Sequence, residues 1–398
     1  MTHIQNRRGE YWTTWAASLL FFGAFYTLLV PLPRYLVSIN MADWQTGVVL
    51  GVFGVAALVG RPLAGAWNDV WGVRRVLLAG AAALIVGAVG MSMTGDFAAL
   101  VGLRLLQGLG YVCFTTAATA HVADLAEPAR RGQMLAWFGA AANVAMTLTP
   151  ASVEAALPVL TVRGAFWLVA GFALVSAALA LRLRPMSQTR LPANWRAMLA
   201  IPRPVWLPML LSAIAGCAFG AFFQFMPLLV ERRGDVSAGL LYTAYGIAII
   251  ATRLVTGRWI DIAAPHTVLR FAFLASVGGL LLLAGASATP ALILAALLIA
   301  AGGGTQTPML IRIHVERTPE NARGRAVAWY YLGFDLGMSS GAWLLAPALE
   351  WLGISTLFLV AAAVACSGIA LAGLLNRTPQ RDLLPDNLPV AQKGKASS

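Results

Sequence analysis

The sequence predicts an all-α polytopic membrane protein with twelve transmembrane helices in two repeated six-helix bundles. Three observations predict this fold class. Of the 398 residues, 59% are hydrophobic and only 11% charged, whereas soluble domains carry about 25% charged side chains. The apolar residues fall in blocks of roughly 20, the length that crosses a bilayer as a helix. The two halves of the chain also match one another at a fixed spacing. Backbone polar groups in lipid must be satisfied within their own segment, so blocks of this kind are helices.

Taken in order, spans are expected near 12–37, 46–66, 76–95, 98–122, 133–156 and 164–183, then 204–230, 238–258, 268–287, 291–314, 325–347 and 355–376. The first follows Arg7, Arg8 and Glu10 without a small-residue cleavage pattern, so it is expected to be retained. Pro128, Pro158, Pro185, Pro202, Pro265, Pro290 and Pro319 punctuate the later spans. Loops on the N-terminal side carry Arg74/Arg75, Arg130/Arg131, Arg184/Arg190/Arg196/Arg203, Arg317/Arg323 and Arg377/Arg381. Opposite loops carry Arg163 and Arg232/Arg233, with Arg34 near a helix end. This asymmetry predicts cytoplasmic termini. It also explains the net charge of +12 without nucleic acid. Domains follow: a bundle over 1–183, a cytoplasmic linker over 184–203, a bundle over 204–376 and a cytoplasmic tail over 377–398. Cys113, Cys217 and Cys366 lie in apolar blocks as packing residues, with neither disulfide nor metal-site spacing.

The repeat fixes the architecture. Gly47, Gly54, Arg61, Gly65, Trp67 and Asp69 recur as Gly239, Gly246, Arg253, Gly257, Trp259 and Asp261. The same spacing carries Arg131, Gly132, Ala136 and Trp137 onto Arg323, Gly324, Ala328 and Trp329. Phe22-Gly23-Ala24-Phe25 returns as Phe219-Gly220-Ala221-Phe222, each run followed by a proline, Pro31 and Pro227. Six spans is an even number, so both halves enter the membrane the same way round. Their axis then runs along the membrane normal, with a binding site between them near mid-depth.

The turn after the second span reads Gly65-Ala66-Trp67-Asn68-Asp69-Val70-Trp71-Gly72-Val73-Arg74-Arg75. Its glycine permits close backbone approach, its acid suits a helix N-terminus, and its arginines suit an anionic lipid surface. The Gly-x-x-x-Asp element repeats at Gly257 and Asp261. This loop resembles the signature of the major facilitator superfamily, and the resemblance covers essentially the whole chain. It implies that Asp69 latches a cytoplasmic gate, with Asp124 as relay partner. Val70 and Val73 stand where the family often carries arginine. Arg104-Leu105-Leu106-Gln107-Gly108-Leu109-Gly110 looks like the fourth-helix motif of proton-coupled members, which implies that Arg104 assists proton transfer; the alternative is that Arg104 snorkels to the outer surface. Spans 1, 4, 7 and 10 are the cavity helices of that family, so Tyr26, Gln107, Phe222, Gln224 and Gln306 are candidate cavity residues, and Asn143 of span 5 is counted with them.

Asp335, in Gly333-Phe334-Asp335-Leu336-Gly337, lies mid-span, and its repeat counterpart is Asn143. An intramembrane acid is functional by default, and near a cation it suits a proton carrier; the plain alternative is a structural acid between two glycines. Glu154, beyond Pro150, is read as a secondary vestibule residue or a solvated helix end. Arg61 and Arg253 are read as anchors, and His121 and His314 as structural groups at helix ends.

No metalloprotease or serine-hydrolase motif and no phosphate-cradling loop is present, so neither an enzyme nor an ATP-driven pump is indicated. Arg61-Pro62 to Gly65 and Asp335-Leu336-Gly337 look like bacterial twelve-helix drug and metabolite proton antiporters, although Met146-Thr147-Leu148-Thr149-Pro150-Ala151-Ser152 lacks the glycines that exporters carry there. The resemblance implies a monomeric exporter of a small organic solute in a bacterial inner membrane. A proton gradient would drive it, and it would need no cofactor or metal. Proton-coupled or facilitative uptake is the competing reading, and a non-transporting receptor or scaffold the remote one.

Overall fold

The computed structural model describes residues 2–126, 131–184, 201–233, 236–318 and 323–377. The described chain is helical throughout. Helix α1 is Thr2–Thr27 continued by Pro31–Ser38, α2 is Asp43–Trp71, α3 Val73–Met93 and α4 Phe97–Leu125. Arg131–Leu181 holds α5 and α6, joined without a loop at Thr161, which takes φ 60° and ψ 160°. Helix α7 is Arg203–Gly220, a π-turn at Ala221–Phe225 and Met226–Arg233; α8 is Ala238–Ile262, α9 Pro265–Gly285 and α10 Thr289–Glu316. Arg323–Ala372 holds α11 and α12, joined at Gly353 with φ 81°. Ten stretches of the described residues are long and apolar enough to cross a membrane. Trp137–Leu181, one of them, divides at Thr161, and α11, joined to α12 at Gly353, completes twelve helices among the described residues.

Local chemistry sets the boundaries. Proline enters the first turn of the Pro31–Ser38 helix and of α7, α9 and α10, where its missing N–H costs nothing. Asp96 caps α4 by accepting from the Ala99 N–H at 2.8 Å, and Ser237 caps α8 by accepting from Leu240 at 3.1 Å. Gly72 makes the α2–α3 turn at φ 81°, where a Cβ would be strained. Pro158, expected to end a helix, lies inside α5. The break falls three residues later, and the chain reverses there without a loop. The expected linker and tail fall almost wholly outside the described residues, as do Pro128, Arg130, Pro185, Arg190, Arg196, Pro319 and Arg381.

Small residues let the helices touch. Between α3 and α4, a Cβ on Gly80 would lie 2.6 Å from the Gly110 carbonyl oxygen, and one on Gly110 would lie 2.7 Å from that of Gly80. Such contacts carry helix association in lipid, where burial of apolar surface supplies little drive. Side chains tie the ends within each half. Trp15 donates to the Trp137 carbonyl at 3.0 Å, and Arg317 donates to those of Leu375 at 3.0 Å and Pro204 at 3.4 Å. The two six-helix bundles then meet along two seams, α2 on α11 and α5 on α8.

Candidate functional site

Both seams are built from repeat-related glycines. Gly54 of α2 faces the Ser339 side chain of α11, and Gly246 of α8 faces Thr147 of α5. Further along the first seam, Arg61 of α2 donates from Nε to the Asp335 carboxylate of α11, an ion pair that joins the two bundles. The carboxylate is 6% exposed and the guanidinium side chain 20%. The guanidinium also lies over the Tyr331 ring, 5.0 Å from its centroid. Tyr26 and Tyr111 lie within electrostatic reach of Tyr331 and of one another, so aromatic hydroxyls surround the pair.

The three arginines expected inside the spans take different surroundings. The cation that meets Asp335 is Arg61, which was read as an anchor. Arg104 is buried inside the first bundle instead of snorkelling outward. It donates to Gln107 Oε1 at 3.2 Å and lies over the rings of Phe53, at 5.1 Å, and Phe25, at 5.8 Å. Among the described residues no carboxylate lies at ion-pair distance from it. Arg253, also read as an anchor, is exposed and within electrostatic reach of Tyr26 on α1 of the other bundle.

The expected cavity residues divide. Tyr26 is half-buried and faces the gap, and Asn143 is half-buried on α5. Gln107 is fully buried against α3, where it fills the space beside Gly87. Gln306 donates to Ser276 Oγ at 3.2 Å, between α10 and α9. Phe222 is fully buried and stacked on Tyr245 at 5.2 Å. These three pack inside bundles and do not line the gap, because their helix faces turn inward. Gln224, in the π-turn of α7, donates to the Met338 carbonyl at 3.4 Å and keeps a buried Oε1 with no hydrogen-bond partner among the described residues.

Glu154 is largely buried and held by partners, not a solvated helix end. It accepts from Arg34 at 2.6 Å, from Ser237 Oγ at 3.0 Å and from the Gly239 N–H at the start of α8. A carboxylate there is favoured by the partial positive charge of the helix N-terminus. Arg34 also meets Glu231 at 3.0 Å, and Arg232 pairs with Asp43. These links cross between bundles at the end of the molecule distal to the N-terminus.

The other end is looser. A Cβ on Gly65, Gly139 or Gly257 would meet nothing within 4 Å. Val70 is 70% exposed, and Trp71 is exposed too. Gly65 and Gly257 are helical, Gly72 forms the turn, Arg74 is half-buried and Arg75 exposed. Asp124, half-buried at the end of α4, lies within electrostatic reach of His121. The side chains of Asp69 and Asp261 lie outside the described residues. Among the described residues, ionic links between the bundles thus stand at the distal end and, deeper in the molecule, at Arg61–Asp335.

A family model described as Major Facilitator Superfamily matches residues 14–236 and 234–395. The "Uncharacterized MFS-type transporter YhhS" of Escherichia coli (strain K12) is 24% identical over 388 residues, covering 93% of each chain. Among solved structures, a mutant of the nucleoside transporter NupG superposes with a TM-score of 0.77 at 15% identity, covering 92% of this chain and 99% of that one. A bacterial homolog of the human lysosomal transporter Spinster, in an inward-facing and occupied conformation, gives 0.73 at 14% identity, covering 96% and 99%.

Proposed function

Because this chain belongs to the major facilitator superfamily of membrane transporters, we propose that it is a secondary active transporter that exports a small organic solute in exchange for protons by alternating access. The observation that carries this reading is the Arg61–Asp335 pair. It is the ionic link at mid-depth between two bundles that must separate and rejoin in every cycle. Protonating Asp335 removes the charge that holds Arg61, and the α2–α11 seam loosens. Deprotonation restores the link. A proton taken up at one face and released at the other thereby drives the rocking of one bundle against the other. Each ligand shifts the balance only by its differential affinity for the two arrangements.

With the termini cytoplasmic, as the arginine distribution implies, the closed end is external and the arrangement faces inward. Solute then enters from the cytoplasm between the N-terminal-side ends of the two bundles. Asp69, its repeat counterpart Asp261, and Asp124 belong to the opposing gate, which closes when the external latch opens. The protein works as a monomer in the bacterial inner membrane.

The test uses inside-out vesicles carrying a proton gradient. A panel of drugs, sugars, amino acids and organic acids is added to vesicles with wild type or Asp335→Asn. The expected result is that at least one compound dissipates the gradient with wild type and not with the variant. A compound that dissipates it equally with both removes Asp335 from coupling. Solute entry into whole cells, with no dissipation in vesicles, identifies uptake instead.

A further inference from the structure

The repeat places Arg253 of α8 where Arg61 stands in α2, and Asn143 of α5 where Asp335 stands in α11. Their surroundings follow the same symmetry. The Ser339 hydroxyl donates to the Asp335 carbonyl at 2.5 Å, and the Thr147 hydroxyl donates to that of Asn143 at 2.7 Å. Each hydroxyl-bearing residue packs on a glycine of the facing bundle, Gly54 and Gly246. One seam therefore holds a neutral ion pair where the other holds an arginine and an amide.

Among the described residues Arg253 makes no ion pair and no side-chain hydrogen bond. Its side chain is exposed, yet the hydroxyls of Tyr26 on α1 and of Tyr245 and Tyr331 in its own bundle all lie within its electrostatic reach. It is therefore directed into the gap and not into lipid. It stands nine residues before the end of α8, about 13 Å at 1.5 Å per residue. An uncompensated arginine at the membrane centre costs about 2.5–3.5 kcal/mol on insertion scales. Among the described residues no fixed carboxylate offsets it, because Asp335 is engaged by Arg61 and Arg104 brings a further positive charge.

Resting on the transporter reading above, we propose that Arg253 binds an oxyanion of the solute, with the Asn143 amide and Tyr26 hydroxyl as neutral donors beside it, and that the solute is a small organic anion. Asn143 takes the place of a fixed carboxylate so that the solute can bring its own. Arg61–Asp335 then handles the proton while Arg253 handles the solute. One ancestral pair has been divided between two tasks.

The test measures binding of benzoate, benzamide and benzylamine to the purified full chain in detergent, by calorimetry and by the rise in unfolding temperature. Benzoate is expected to bind wild type, with the neutral and cationic probes at least tenfold weaker. Arg253→Gln weakens benzoate at least tenfold, and Arg253→Lys recovers part of the loss. Asn143→Asp rebuilds the ion pair of the other seam, so it abolishes benzoate binding while raising the unfolding temperature, which separates lost binding from lost folding. Absence of benzoate binding to wild type, equal binding of all three probes, or benzoate binding that survives Arg253→Gln or Asn143→Asp overturns the proposal. The vesicle assay fails separately. Benzoate bound through Arg253 with no solute moving protons would sink the transport reading alone, whereas proton-coupled movement of a cation without benzoate binding would sink this inference alone.

Discussion

Arg61 and Asp335 meet across 274 residues of chain, in surroundings that leave the carboxylate 6% exposed. Removing one member of such a pair typically costs about 3–5 kcal/mol, because the other is left buried and uncompensated, whereas replacing both by apolar groups is often close to neutral. Arg61→Leu is therefore expected to lower the thermal unfolding temperature of the purified protein, and Arg61→Leu/Asp335→Leu to recover most of that loss while remaining inactive in vesicles. A double variant no more stable than the single one would show that the two side chains do not act as a unit. Asp335 was legible in the sequence because a mid-span acid is costly and therefore conspicuous. Its partner was not. Arg61 lies in a motif that reads equally well as an anchor, and nothing local indicates that the far half of the chain brings a carboxylate to it. Gln107, Gln306 and Phe222 were misplaced for a related reason. Polarity inside a span marks a residue as protein-facing but does not say whether it faces its own bundle or the gap.

Among helices, the glycines divide by what they touch. Gly80 and Gly110 join α3 to α4 within one bundle, whereas Gly54 and Gly246 lie on the seams that must part and close. Overpacking a close contact costs about 1–3 kcal/mol, and where it falls decides what is lost. Gly80→Val, whose Cβ would lie 2.6 Å from the Gly110 oxygen and 2.9 Å from the Phe114 nitrogen, is expected to reduce the yield of folded, monodisperse protein. Gly246→Val, which presses on Thr147, is expected to leave yield and unfolding temperature near wild type while cutting transport more than tenfold. Size-exclusion profiles and vesicle assays on both variants check the division, and equal loss of folding in both would refute it. The repeat made the seam glycines visible as matched positions before their contacts were known. The π-turn at Ala221–Phe225 had no such signal, since it is a local underwinding that composition does not encode.

Across the whole molecule, closure of the end distal to the N-terminus rests on Arg34 held by Glu154 and Glu231, on Asp43 with Arg232, and on Glu154 at the head of α8. The Glu231 side chain is 41% exposed, so solvent screens its contribution, and losing such a link is worth about 1 kcal/mol. Arg34→Gln should thus shift the balance about fivefold toward the outward-open form. A cysteine replacing Thr147, which is 7% exposed, reports this as a comparable rise in its labelling rate by a membrane-impermeant thiol reagent added from outside. An unchanged rate would mean that Arg34 does not hold that end shut. Twelve helices and a two-fold repeat were legible because the bilayer imposes length and hydropathy on every span. The conformation was not, because a carrier must keep two arrangements nearly equal in energy, and a sequence that stabilises both does not announce either.

The absence of a carboxylate at position 143 also has an electrical consequence. With Arg61 and Asp335 cancelling, the empty gap holds the unbalanced charge of Arg253. Switching its exposure from one face to the other carries that charge through part of the membrane potential, worth up to about 2.3 kcal/mol per 100 mV for a full crossing. On the proposed export reading, an inside-negative voltage then favours the empty carrier facing inward, where solute waits. A bound monoanion cancels the charge, so the loaded carrier turns outward without working against the field.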